Sequence, residues 1–318
     1  GEKFMSEAAP PRLSKVALIA FLLSVSSLLL LLATALPALY LGVQAIRDIN
    51  RRDGRLRGHR LAIAGLVLSA FVTLVTVLGI AALLLLYAQE KSQVAGCTNN
   101  LRQIGVSIQS YHDHHEKVFP PGTIRNPALK PEQRLSWQAA ILPFLLEGRP
   151  AGKKWKKRAG EIALAEAWDA PANAGQRQNV APFLCPAFAH ELAPGQVGLT
   201  SYVGIAGVGG DAATLPLRDA NAGFFGYDRL LRSSDITASL GATMVAIETT
   251  RDNGSWPAGG PATVRGVEPD CDRYVGKDAA FGGLHRAGAN VLWADGSVRI
   301  VTERVEPYHF RLEARIAR

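Results

Sequence analysis

Near the C-terminal end of the chain, His285 is followed by nine residues and then Asp295-Gly296, in the stretch HRAGANVLWADGSVRIV. A histidine and a carboxylate within reach of one another are the material of an acid–base pair. A denser cluster is YHDHH, Tyr111–His115. On a helix His112 and His115 would share a face, and with Asp113 or His285 they would offer the imidazole and carboxylate ligands that zinc or copper takes. Three cysteines, Cys97, Cys185 and Cys271, complete the reactive groups. In an oxidising compartment three thiols form at most one intramolecular bridge and leave one over.

Spacing argues against most of this chemistry. If Asp295-Gly296 is a two-residue type I′ turn, Trp293 pairs with Val298 and Val291 with Ile300, and these four side chains share one face. His285 then lies six residues before Val291, while Asp295 sits at the turn tip. Val291 to Asp295 alone spans about 13 Å at ~3.3 Å per residue, so the two groups cannot bond unless the loop folds back. Asp295 and Gly296 are explained by the positive φ of such a turn. His285 is expected to pin the glycine-rich loop by bonding to backbone. In YHDHH, Tyr111 and His115 fall on an apolar helical stripe while Asp113 and His114 point elsewhere, and histidine near a helix C-terminus is favoured by the macrodipole. The glycines of GIAGVGG lack the Gly-Lys-Ser/Thr of a phosphate loop. No serine stands in a nucleophile frame. The expectation is a chain without catalytic residues, cofactor or native metal, in which His112, His115 and His285 are the remaining metal candidates.

The elements that position these residues begin with two apolar runs. Val16–Val43 and Leu61–Ala88 are each 28 residues without a charge, in a chain that is 48% hydrophobic and 19% charged. About 20 apolar residues suffice for a helix to cross a bilayer. Between them Arg47–Arg60 carries six Arg against two Asp, and short Arg-rich loops stay on the cytoplasmic side. Both ends of the chain are then external. The net charge of +8 is mostly concentrated beside the membrane, so it encodes topology and does not point to nucleic acid. Outside, KKWKKR (Lys153–Arg158) is the one dense basic cluster, to be read either as a solvated loop or as a contact for anionic lipid or envelope polymer.

Beyond the second run Val94, Cys97, Leu101, Ile104, Ile108, Tyr111 and His115 recur at spacings of three and four, which predicts a helix running on without a break. It should stop near VFPPG, where prolines forbid continuation. Leu61–His115 as one helix would be on the order of 80 Å long. Its stripe needs a sheet to cover it, and TSYVGIAGVGG, TMVAIETT and the 291–300 hairpin read as strands.

A helix half in the membrane and half laid on a small sheet is the pilin-like plan. CTNNLRQIGVSIQSYHDHHEKVFPPG, LSWQAAILPFLL, AWDAPAN, FLCP, SSDITASLGATMVAIETT and DNGSWPAGGPATVRG resemble, in order, the blocks of the bacterial pilin-like family known as domain of unknown function 1559. FGGLHRAGANVLWADGSVRIV looks like its His-nine-Asp-Gly ending, so that His285, Asp295 and Gly296 are structural motif residues. The first ninety residues, with LPALYLGVQAIRDINRRDGRLRGHRLAIAGLVLS, resemble the two-helix membrane module known as domain of unknown function 4190. Cys97 and Cys185 fall in family-like blocks and Cys271 does not. If a bridge forms, the resemblance favours Cys97–Cys185; a plain buried Cys97 is the alternative. A prepilin signal has Glu at the fifth position after its glycine, whereas Ile63 and Ala70 stand there after Gly58 and Gly65, so prepilin processing is not expected.

The fold class expected is α+β: two transmembrane helices, the second continuing into a long helix packed on a small antiparallel sheet. Residues 1–15 form an external tail, 16–88 a two-span anchor with the cytoplasmic loop 47–60, and 89–318 an extracytoplasmic domain. The function expected is a non-catalytic structural or binding module of the envelope, held in the cytoplasmic membrane. The alternatives are a pseudopilin-like subunit of a secretion or filament assembly, and a metal-dependent surface enzyme. Its partners would be the lipid bilayer and a protein or envelope polymer, with homo-oligomerisation open.

Overall fold

The computed structural model describes residues 33, 37–48, 50–51, 59–147, 150–189, 198–283 and 285–317. The expected tail 1–15, most of the first apolar run and residues 52–58 of the arginine loop lie outside the described residues. The chain divides into two compact units, Gly1–Gln89 and Glu90–Arg318.

In the first unit, residues 37–48 are helical, and the long helix α1, His59–His114, begins. The two meet at Gly42, where an added methyl would touch Leu66 Cβ at 3.5 Å; small residues allow such close crossings of membrane helices. Residues 61–86 hold three polar side chains, Ser69, Thr73 and Thr76. Each hydroxyl donates back to a carbonyl of its own helix: Ser69 to Leu66 at 3.1 Å, Thr73 to Ser69 at 2.8 Å and Thr76 to Val72 at 2.8 Å. Leu68, Phe71, Leu78 and Leu85 are exposed. One helix among the described residues, Arg60–His114, is long and apolar enough to cross a membrane.

In the second unit α1 buries Cys97, Leu101, Ile104 and Ile108, worth on the order of 1.5–3 kcal/mol for each large apolar side chain. The expected stripe drifts at its end. Tyr111 is half-buried and His115 exposed, while His112 is buried. A 3, 4, 3, 4 spacing averages 3.5 residues per turn, and a straight helix of 3.6 rotates away from it by about 20° per heptad. The helix ends before the prolines act: Glu116 and Lys117 take positive φ of 52° and 61°, and Lys117 N–H caps His112 O at 3.0 Å.

Short helices α2 (Trp137–Ile141), α3 (Pro150–Gly160) and α4 (Pro186–Ala189) precede the sheet. KKWKKR is therefore helical, with Trp155 buried and Lys153, Lys154, Lys156 and Lys157 exposed. Strands β1 (Tyr202–Val208), β2 (Met244–Glu248), β3 (Val264–Val267), β4 (Ala289–Trp293) and β5 (Val298–Val301) form one sheet in the order β3-β1-β2-β4-β5. The sheet is mixed, not antiparallel, because β3 pairs parallel with β1. Residues 209–263, which include β2, supply the long connection that a parallel neighbour requires.

Both faces of the central strands β1, β2 and β4 are buried. One carries Tyr202, Ala206, Val245 and Leu292 against the α1 stripe. The other carries Val203, Ile205, Ile247, Val291 and Trp293 against Phe310, on the last helix, α5 (Pro307–Glu313). Glycine lets α1 lie close: a Cβ at Gly105 would stand 2.9 Å from Leu292 Cδ1.

The hairpin register differs by one from the expected one. Leu292 pairs with Val298 and Val291 with Arg299, and Trp293 N–H donates to Ser297 O at 2.9 Å. Ala294-Asp295-Gly296 is thus a three-residue loop whose only positive φ is Gly296, at 80°, as in a type I turn closed by a left-handed glycine. A one-residue shift exchanges faces. Leu292 and Val298, not Val291 and Trp293, therefore meet the helix side, and Ile300 is exposed.

Candidate functional site

Four side chains from four separate elements converge inside the second unit. Cys97 comes from the α1 stripe. Cys185, of FLCP, precedes α4, and its N–H donates to Ser201 Oγ at 3.0 Å. Glu248 ends β2 opposite Tyr202. His285 stands in the loop entering β4, beside Gly282, Gly283 and Gly288, whose φ values are 82°, 132° and 127°. Cys97 and Cys185 are joined as a disulfide with Cα atoms 5.2 Å apart. His285 Nε2 lies 3.2 Å from Cys97 Sγ, 3.4 Å from Cys185 Sγ and 3.1 Å from Glu248 Oε1. The imidazole was expected to pin the loop through backbone; instead it faces the sulfurs and the carboxylate.

The cluster is dry. The cysteines are 0% exposed, Glu248 1% and His285 6%. The carboxylate is held through its other oxygen: Asn290 N–H and Nδ2 donate to Glu248 Oε2 at 3.3 and 3.0 Å. Thr98 Oγ1 in turn donates to Asn290 Oδ1 at 3.0 Å, orienting the amide. Glu248 Oε1 and His285 Nδ1 have no aligned hydrogen bond among the described residues. Burial pushes the Tyr202 phenol well up, and the charge of Glu248 pushes it the same way.

The other sequence candidates lie elsewhere. Cys97 and His112 are fifteen positions apart on α1, about 22 Å along a helix, so His112 and His115 are not brought to His285. His112 Nδ1 contacts Asp113 at 3.2 Å and its ring stacks on Phe119 at 4.5 Å. His115 Nδ1 bonds Tyr111 O at 2.8 Å and its ring stacks on Tyr111. Lys117 and His112 hold the Asp113 carboxyl below its ordinary range. Asp295 accepts from Ser297 N–H at 2.9 Å. Hydrogen bonding from Ser297 is the main cause of its lowered pKa.

Two residues escaped sequence reasoning. Glu248 was hidden in a strand, where its one signal was a carboxylate inside the apolar run MVAIE. Arg229, buried, donates to the carbonyls of Ala206, Ala212, Leu215, Gly223 and Phe225. Burial lowers its pKa to about 10, so it stays charged at neutral pH and ties loop to sheet.

Residues 88–268 match the model of a family described as a protein of unknown function (DUF1559). The chain belongs to that family. Residues 13–79 match a second model, a domain of unknown function (DUF4190). The DUF1559 match takes in Cys97, Cys185 and Glu248 and ends before His285, Asp295 and Gly296. No curated protein and no solved structure matches the chain.

Proposed function

We propose that this DUF1559 chain is a membrane-anchored, pilin-like module of the cell envelope, with residues 89–318 as a non-catalytic structural or binding head facing outward. The observation that carries this is the 61–86 stretch of α1. Most of its apolar side chains are exposed, only one face carrying the half-buried Leu66 and Val72 beside the buried Ser69 and Thr76, and all three of its hydroxyls are satisfied by the helix's own carbonyls. Lipid, which offers polar groups no partner, demands that pattern. The six-arginine loop supports a cytoplasmic 47–60 segment.

The head is built for rigidity. It carries one cross-link, a sheet whose central strands are covered on both faces, and a buried arginine joining five carbonyls. Lys153, Lys154, Lys156 and Lys157, exposed on α3 beside the buried Trp155, support an anionic envelope polymer as the partner.

Protease added to intact spheroplasts tests the topology. Residues after Ala88 should be digested and Arg47–Arg60 spared. A head that stays protected until the membrane is lysed would refute the outward orientation.

A further inference from the structure

We propose that Cys97, Cys185, Glu248 and His285 form a closed metal site for zinc or a similar borderline divalent cation in the dithiol form of the head, and that the disulfide is its oxidised, metal-free form. The four ligand atoms lie within 4.8 Å of one another and all four residues are buried. Tetrahedral zinc, with bonds of ~2.0–2.3 Å to nitrogen, oxygen and sulfur, sets its ligand atoms about 3.3–3.8 Å apart. The distances from His285 Nε2 to the two sulfurs and to Glu248 Oε1 are 3.2, 3.4 and 3.1 Å. The sulfurs must separate, by side-chain rotation once their bond is broken.

The second observation is Glu248 Oε1. It is buried and aimed into the cluster, yet among the described residues it receives no aligned hydrogen bond. A single imidazole nitrogen also faces three electron-rich atoms and can give at most one proton. A cation among them satisfies all four atoms together. Asn290 holds the outer carboxylate oxygen, and Thr98 holds Asn290, an outer layer of the kind that orients metal ligands. Four protein ligands leave no open position, so the site is structural.

The conversion balances. A disulfide-bonded oxidant takes one electron from each metal-bound thiolate and leaves as two thiolates. The Cys97–Cys185 bond forms, and the cation is released. A phosphine or dithiol reductant supplies the two electrons of the reverse step.

The test uses the full chain in detergent, reduced with a phosphine under anaerobic conditions, in denaturant with refolding where the bridge resists. Cobalt(II) is the probe. One cobalt per chain should bind, with thiolate-to-cobalt charge transfer and the visible bands of a tetrahedral ion, and the oxidised chain should bind none. His285→Ala and Glu248→Gln should each weaken binding at least about tenfold, the lower end of what even outer-layer losses cost. His285→Cys, which keeps a ligand, should retain cobalt with stronger charge transfer and covers the case in which His285→Ala fails to fold. A reduced chain, folded by circular dichroism, that takes up no cobalt or zinc would overturn the proposal. So would cobalt binding abolished by Cys271→Ser and unchanged by His285→Ala.

Discussion

The cross-link between α1 and the Cys185 segment can be weighed by a double-mutant cycle. Cys97 and Cys185 are 88 positions apart. In the chain-entropy account, closing a loop of that size restricts the unfolded state by about 4.6 kcal/mol at 25 °C, and measured losses of native bridges run at roughly 2–5 kcal/mol. Cys97→Ala alone removes the bond, as does Cys185→Ala alone. Each should therefore cost about 4 kcal/mol, and the double variant little more than either, whereas independent sites would add. All five tryptophans lie between Trp137 and Trp293, so tryptophan fluorescence during urea unfolding reports on the head alone. With a chelator present, no metal contributes. Single effects that sum in the double variant, or a wild type equally stable with and without reductant, would refute the bridge as a stabilising element.

Three further outcomes are expected. Arg229→Met takes a side-chain donor from five carbonyls, of which those of Ala206 and Ala212 keep a backbone N–H, and should cost about 3 kcal/mol, read from the same urea curves. His112→Ala should cost about 1–2 kcal/mol while His115→Ala stays within about 0.5, since only the first is buried; equal effects would contradict the corrected stripe. In the hairpin, Gly296→Val should cost more than ~1–2 kcal/mol through its positive φ, with no clash at Cβ because nothing lies within 4 Å of it, while Asp295→Asn should cost only about 0.5 kcal/mol at neutral pH. The lowered pKa of Asp295 means that its contribution is present above the ordinary carboxylate range and lost as pH falls through the folded-state value. Asp295→Asn should therefore flatten the acid limb of a melting-temperature profile, and an unchanged limb would contradict this.

What was legible in the sequence follows from physical range. Charge-free runs and a repeated three-four spacing are local signals, so α1 could be read from residue order, as could β1, β2 and the 289–301 hairpin. The helix stop was read to within one residue, but its local cause was not, because Glu116 and Lys117 take left-handed conformations that their residue types do not announce. The hairpin was read one residue out because Asp-Gly suits both a two-residue turn and the last two positions of a three-residue loop; the loop's closing bond, Trp293 to Ser297, has no local signature. Strand β3 was missed because VRGV is short and carries an arginine, and its parallel pairing depends on a crossover. The Cys97–Cys185–Glu248–His285 cluster joins positions up to 188 apart, and no spacing rule reaches that far. His285 was noticed for its link to Asp295, when its partners were a cysteine on the helix and a carboxylate inside a strand.

The central claim is that α1 lies in lipid over residues 61–86 and within the head beyond them. Spin labels placed one at a time at Leu68, Leu78, Leu85 and Val106, in the Cys271→Ser background and reconstituted into liposomes, measure this directly through collision with oxygen and with a water-soluble nickel complex. The first three should be open to oxygen and closed to nickel, and Val106, exposed on the head, should be open to nickel. Nickel reaching Leu68, Leu78 and Leu85 as freely as Val106 would contradict the account.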